Sequence, residues 1–280
     1  MDNRKKTRRM FIKTAGRALA GMLIGVAIAK PSLAQRIHEI EKGQDLPDWM
    51  DHYWVYLIDT TKCIGCGACV RADKRENKVP PRFFRTWVER YQITEDKHVH
   101  VDSPNGGLDG FLDEDIIAYY KIPHPDAHGM IQDPPSHKIK GRVTKAFFVP
   151  KMCNHCRNTP CTQVCPVNAS YQSPDGVVLV DKKRCIGCAY CVQACPYGSR
   201  YIHPETHTAD KCTWCYHRIT KGLLPACVTV CPTGARKFGD LKEATSEIKE
   251  LLATMRLNVL KPELNTEPFC FYIGLEQSVR

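Results

Sequence analysis

Cysteines kept only for packing would scatter along a chain, yet fifteen of the sixteen in these 280 residues fall into four tight groups. That clustering limits the fold more than any other feature. The third group reads Cys185-x2-Cys188-x2-Cys191-x3-Cys195-Pro196. The second, Cys153-x2-Cys156-x4-Cys161-x3-Cys165-Pro166, has one loop stretched by two residues. The fourth, Cys212-x2-Cys215-x11-Cys227-x3-Cys231-Pro232, carries a longer insertion before the same Cys-Pro ending. The first, Cys63-x2-Cys66-x2-Cys69, stops short. Residues Ile58 to Val70 repeat as Val180 to Val192 at a constant offset of 122, which sets Asp73 opposite Cys195.

Triplets with a trailing Cys-Pro match the bacterial ferredoxin run. In that run a short Gly-containing loop wraps three thiolates around one iron–sulfur cube, and the distal Cys ligates a different cube. Proline after the distal ligand fixes the backbone and removes a donor that would need a partner. Disulfide scaffolds are usually short and do not repeat this pattern. Tetrahedral zinc wants two Cys pairs per ion, and triplets with a lone distal Cys do not divide that way. Because Asp73 replaces a cysteine, one site lacks its fourth thiolate. That site is expected to hold a [3Fe-4S] cluster, a [4Fe-4S] cluster capped by the Asp73 carboxylate or water, or nothing. Cys270 is expected to be a small buried apolar residue.

The first 34 residues read as a targeting segment. Thr7-Arg8-Arg9-Met10-Phe11-Ile12-Lys13 resembles the twin-arginine export motif, Ala15 to Ala29 is mildly apolar and too short to span a bilayer comfortably, and Ser32-Leu33-Ala34 supplies a small-x-small cleavage site. Twin-arginine export carries folded cargo, which suits clusters that must be assembled in the cytoplasm. The segment holds eight of the 40 Lys and Arg and one of the 30 Asp and Glu, so the remainder is nearly balanced and has no evident nucleic-acid footprint.

Outside the cysteine groups, signals are weaker. His98, His100, His124, His128 and His137 follow no ligand spacing and read as polar loop residues. His155 and Trp214, inside cluster loops, are expected to shield a cluster from water. Val88 to Ile93, Val99 to Val101, Gly176 to Val180 and Arg236 to Phe238 read as strands, and Asp240 to Leu260 as an amphipathic helix packed on the outer domain.

With Asn77-Lys-Val-Pro80 and Phe84-Arg-Thr-Trp-Val-Glu-Arg-Tyr91 after the first group, the order and spacing of the four groups over about residues 55 to 240 resemble one family. It comprises the four-cluster ferredoxin subunits of the complex iron–sulfur molybdoenzymes, the B subunits of dimethyl sulfoxide, polysulfide, tetrathionate and nitrite reductase systems. The resemblance implies an α+β fold of two nested ferredoxin-like bicluster domains with long loop insertions. Residues 35–54 would be an N-terminal extension, 55–79 with 205–240 the outer domain, 80–145 an insertion contacting partners, 146–204 the inner domain, and 241–280 a C-terminal helix and tail.

In that nested order the implied ligand sets are Cys63, Cys66, Cys69 and Cys231 for cluster 1; Cys153, Cys156, Cys161 and Cys195 for cluster 2; Cys185, Cys188, Cys191 and Cys165 for cluster 3; and Cys212, Cys215, Cys227 and Asp73 for the incomplete cluster 4. Cofactors would be three [4Fe-4S] clusters and a fourth of [3Fe-4S] or [4Fe-4S] type, in a protein that relays electrons and catalyses nothing itself. With its own export signal, the chain looks most like the ferredoxin subunit of the sulfite-reduction-associated Dsr membrane complex. This implies a periplasmic location and, as partners, a polytopic quinone-reactive membrane subunit and a cytochrome c. The alternatives are a molybdenum or tungsten catalytic subunit as partner, a hydrogenase, a free periplasmic ferredoxin, or an enzyme using the Asp73 site as an open iron.

Overall fold

The computed structural model describes residues 51–111, 139 and 141–279. The expected signal segment 1–34, with its twin-arginine motif, lies outside the described residues, as do His124, His128 and His137.

Strand β1 (Trp54–Asp59) is an almost unbroken apolar run, and it is buried on both faces. It pairs antiparallel with β9 (Arg236–Asp240) on one side and parallel with β11 (Cys270–Ile273) on the other. A short strand β10 (Leu257–Asn258) completes the four-stranded order β10-β11-β1-β9. Alternate β1 residues serve different cores, as a period of two requires. Val55 and Leu57 pack with Ile248, Leu251 and Leu252 of helix α6 (Glu247–Thr254). Tyr56 and Ile58 face inward to Trp214, Val70 and Tyr272. The amphipathic helix expected over 240–260 thus forms over only eight residues. The chain then turns back to place β11 beside β1, burying Cys270 completely.

The segment after the first cysteine group forms a three-stranded sheet in the order β3-β2-β4, from β2 (Thr86–Thr94), β3 (Val99–Asp102) and β4 (Val143–Met152). Tyr91 and Phe147 stack across the β2–β4 pair at 5.2 Å. Strand β4 runs straight into Cys153, so this sheet is the platform that starts the second group. Its Phe148 ring also presses on the first cluster loop at Gly65. Two small hairpins follow: β5 (Ser170–Gln172) with β6 (Val178–Val180), and β7 (Arg200–Ile202) with β8 (Ala209–Lys211).

Each cysteine group carries its third thiol on a helix: α1 (Ala68–Asn77), α2 (Pro160–Gln163), α3 (Tyr190–Gln193) and α5 (Ala226–Thr229), with α4 (Tyr216–Ile219) just after Cys215. Helices α2, α3 and α5 last one turn, because a Cys-Pro follows and proline can neither donate to the ladder nor clear the preceding carbonyls. Helix α1 runs for ten residues. Lys74 stands where the 122-residue repeat has Pro196, so the copy that lacks the fourth thiolate at 73 also lacks the helix stop at 74.

Candidate functional site

The cluster loops are built by left-handed backbone. Gly65 and Gly187, equivalent in the repeat, have φ of +69° and +70°. A Cβ on Gly187 would lie 2.3 Å from the His207 carbonyl oxygen, so glycine answers both the dihedral and the close approach. One turn earlier, the Asp59 carboxylate accepts from the Thr61 amide and Asp181 from the Lys183 amide, closing the same turn ahead of Cys63 and Cys185.

These loops bring the thiols into four sets. Cys63, Cys66 and Cys69 line one cavity with Cys231, which arrives from the far end of the sequence. Cys185, Cys188 and Cys191 line a second with Cys165. Cys156 lies among Cys153, Cys161 and Cys195, and burial together with those neighbours pushes its thiol up to about 12. Cys212 lies beside Asp73, Cys227 and Cys215, and burial raises it well above the ordinary thiol range, with those three adding to the effect. All sixteen cysteines are free thiols. Among the described residues no three His, Cys, Asp or Glu side chains converge on a point that would hold a single metal ion.

The distal thiols sit in their own nests of N–H groups. The Cys165 sulfur accepts from the Ala169 and Ser170 amides at 3.2 and 3.5 Å. Burial acts to raise Cys231, and the amides of Arg236, Thr233 and Ala235 with the Thr233 hydroxyl outweigh it, so its pKa falls below the ordinary thiol value. At Cys165 and Cys231 the Cys-Pro turn therefore favours a thiolate, whereas at Cys195 burial, with Cys153 adding to it, outweighs the Ser199 and Tyr197 amides and raises the thiol.

In the fourth set Asp73 is buried, and its Oδ2 has no hydrogen-bond partner among the described residues. Burial pushes the carboxyl up to about 6, against the pull of Arg85, Arg236 and a hydrogen bond from Asn77. Asn77, one turn along the lengthened α1, donates to Asp73 Oδ1 at 2.8 Å and lies 3.5 Å from Cys215 Sγ. Three thiols and one carboxylate oxygen without a partner make up this donor set.

Several functional neighbours are not visible in cysteine spacing. The Tyr56 hydroxyl contacts Cys227 Sγ at 3.2 Å. Arg236 and Arg200 are buried, each five residues after a Cys-Pro cysteine. Burial works against the charge of Arg200, and the thiols of Cys161, Cys153 and Cys191 more than offset it; Cys69, Tyr56 and Cys227 do the same for Arg236. The repeated Cys-Pro-x-Gly-small-Arg was the available signal. His155 has a definite structural role: its Nδ1 accepts from the Val178 amide at 2.9 Å, which leaves Nε2–H to donate to the Cys212 carbonyl at 3.1 Å. Burial, with Lys211 nearby, keeps it neutral. It stacks on Trp214 at 3.9 Å, tying the second cysteine group to the fourth.

A protein-only shell of thiols, N–H donors to sulfur and buried guanidinium groups fits iron–sulfur cubes, whose net charge is negative and whose sulfurs accept hydrogen bonds. Fold and site define a multi-cluster ferredoxin. The 4Fe-4S dicluster domain family matches twice, over residues 62–169 and 144–241. The B subunit of tetrathionate reductase from Salmonella typhimurium is 38% identical over 279 residues, 99% of this chain and 91% of that protein. The B subunit of polysulfide reductase from Wolinella succinogenes is 36% identical over 218 residues, covering 78% and 92%. The Hdr-like menaquinol oxidoreductase iron–sulfur subunit 1 of Archaeoglobus fulgidus is 30% identical over 295 residues, covering 96% and 98%. The protein belongs to the family of iron–sulfur B subunits of molybdoenzyme reductase complexes, and is an electron-transfer subunit rather than a catalytic one.

Proposed function

We propose that this chain is an exported electron relay, working on the periplasmic face of the membrane between a quinone-reactive membrane subunit and a catalytic molybdenum subunit of the tetrathionate reductase type. The observation that carries the relay is the convergence of each thiol triplet on a fourth donor from another group, as Cys231 joins Cys63, Cys66 and Cys69 in one cavity. Cys63, Cys66, Cys69 and Cys231 would hold cluster 1; Cys153, Cys156, Cys161 and Cys195 cluster 2; and Cys185, Cys188, Cys191 and Cys165 cluster 3. Cys212, Cys215 and Cys227 would hold cluster 4 with Asp73 Oδ2 as the oxygen donor. Bound cubes supply one-electron carriers. The chain's residues orient the thiolates, exclude water and donate N–H groups to sulfur.

Export rests on Arg8 and Arg9 ahead of the short apolar stretch. The choice of a tetrathionate-type partner is supported by similarity running through nearly the whole of both chains. A Dsr-type complex with a cytochrome c is the second reading, favoured by end-to-end alignment with the menaquinol oxidoreductase subunit. Affinity purification of the tagged chain from host membranes tests both: a molybdenum-containing subunit and a polytopic membrane protein are expected. A multihaem cytochrome in place of the molybdenum subunit would select the second reading, and recovery of the chain alone would contradict both. Fractionation of the R8K/R9K double variant tests export, with retention in the cytoplasm expected.

A further inference from the structure

Of the cations buried among the described residues, three each lie between two cysteine sets. Arg236 lines the cavity of Cys63, Cys66, Cys69 and Cys231. It also reaches the fourth set through Tyr56, to whose hydroxyl it donates from 3.4 Å and which in turn contacts Cys227. Arg200 is held by Ser170 Oγ at 2.7 Å, beside the nest of Cys165, and lies among Cys161 and Cys153 of one inner set and Cys191 of the other. Lys211 donates to the Cys212 carbonyl at 2.7 Å and to the Val178 carbonyl, and lies near Cys153, Cys212 and Cys161. It therefore stands between the fourth set and the second.

These three cations are at most 2% exposed, and two carry an N–H with no acceptor among the described residues: Arg200 Nη1 and Arg236 Nε. A buried guanidinium N–H left unpaired is costly, because the water it gave up is not replaced by another acceptor. An unpartnered guanidinium nitrogen on the arginine of both copies of Cys-Pro-x-Gly-small-Arg, Nη1 in Arg200 and Nε in Arg236, points to an acceptor that is not part of the polypeptide. Arg85, also buried, pairs with the Asp210 carboxylate at 2.7 Å and acts on Asp73 of the fourth set as well.

Resting on the ligand sets proposed above, we propose that Arg236, Lys211 and Arg200 occupy the three successive gaps of the series cluster 1, cluster 4, cluster 2, cluster 3, one cation per gap. They are positioning residues that act on potential. A fixed positive charge in low dielectric favours the reduced, more negative state of both flanking clusters, and a guanidinium N–H donated to cluster sulfur acts in the same direction. Spacing one cation per gap raises neighbouring potentials together, so that no single cluster becomes a deep step in the series.

Anaerobically purified full-length protein, titrated potentiometrically with EPR, tests this. R236Q is expected to lower the midpoints of clusters 1 and 4, K211Q those of 4 and 2, and R200Q those of 2 and 3, with the remaining pair unmoved each time. R236K and R200K, which keep the charge, are expected to stay closer to wild type than the Gln variants. Unshifted midpoints in variants that retain their iron, or a uniform shift of all four clusters, overturn the proposal. Pulsed EPR of the unmutated protein, grown with guanidino-15N-arginine, decides even where a Gln variant loses its clusters: a 15N coupling to the reduced clusters is expected, and its absence overturns the assignment. A wild-type protein without clusters would instead defeat the ligand sets, a separate failure.

Discussion

The hydroxyl of Tyr56 lies 3.2 Å from the sulfur of Cys227, and Arg236 donates to that hydroxyl from behind. Arginine has no acceptor, so the phenol oxygen accepts from Arg236; with Cys227 as a thiolate ligand of cluster 4, the phenol proton would be donated to its sulfur. Replacing Tyr56 with Phe removes one hydrogen bond to a cluster 4 ligand and one acceptor from a buried guanidinium. The expected result is a stability loss of about 1–3 kcal/mol in denaturant unfolding under argon, and a lower midpoint confined to cluster 4. An unchanged midpoint would show that this bond does not reach the cluster.

Asp73→Cys restores the thiolate that the repeat predicts. Its expected outcome is a four-thiolate cluster at the fourth site, with an altered EPR signal there, the other three signals retained, and electron transfer preserved. Complete loss of transfer with all clusters intact would mean that the Asp73 site performs chemistry beyond relay.

Two glycines separate backbone strain from crowding. Gly187 and Gly222 both have positive φ, but only Gly187 has a neighbour in the way, the His207 carbonyl, whereas nothing lies within 4 Å of a Cβ on Gly222. Gly222→Ala should cost about 1–2 kcal/mol, the left-handed penalty alone. Gly187→Ala should in addition deplete cluster 3. Iron analysis with EPR of both variants checks this, and equal effects would contradict the contact.

Asp240 ties the N-terminal edge of β1 to β9, accepting from the Tyr53 and Lys242 amides and meeting His52 Nδ1 at 2.6 Å. Burial acts to raise its pKa, but those donors prevail and hold it below the ordinary carboxylate value. A depressed folded pKa gives stability that is present above the unfolded value, about 3.9, and is lost as pH falls through the folded one. Asp240→Asn should therefore be less stable than wild type by about 1 kcal/mol at neutral pH, with the gap constant down to about pH 5 and narrowing only below about 4. A gap that fails to narrow as the pH falls below about 4 would contradict the assignment to the Asp240 carboxylate.

The cysteine sets were legible because a ligand run is local: three thiols within seven residues must share one loop, and the break at Asp73 stood out against the chain's own repeat. Strands β2, β3 and the starts of β6 and β9 were legible for the same reason, through short-range alternation. Strand β11 was not, since Cys270–Ile273 gains its place only by pairing in parallel with β1, more than 200 residues away. The length of α1 was readable in principle from Lys74 replacing a proline. Tyr56, Lys211 and Asn77 could not be read from sequence, because a hydroxyl or ammonium near sulfur leaves no spacing signature.

The most direct measurement is an iron and acid-labile sulfide count with EPR on anaerobically purified protein. The account predicts a brown protein with about 15 or 16 iron atoms per chain, nearly matched by sulfide, and distinct signals from interacting clusters. A colourless protein, with its thiols paired as disulfides or filled by zinc, would contradict it.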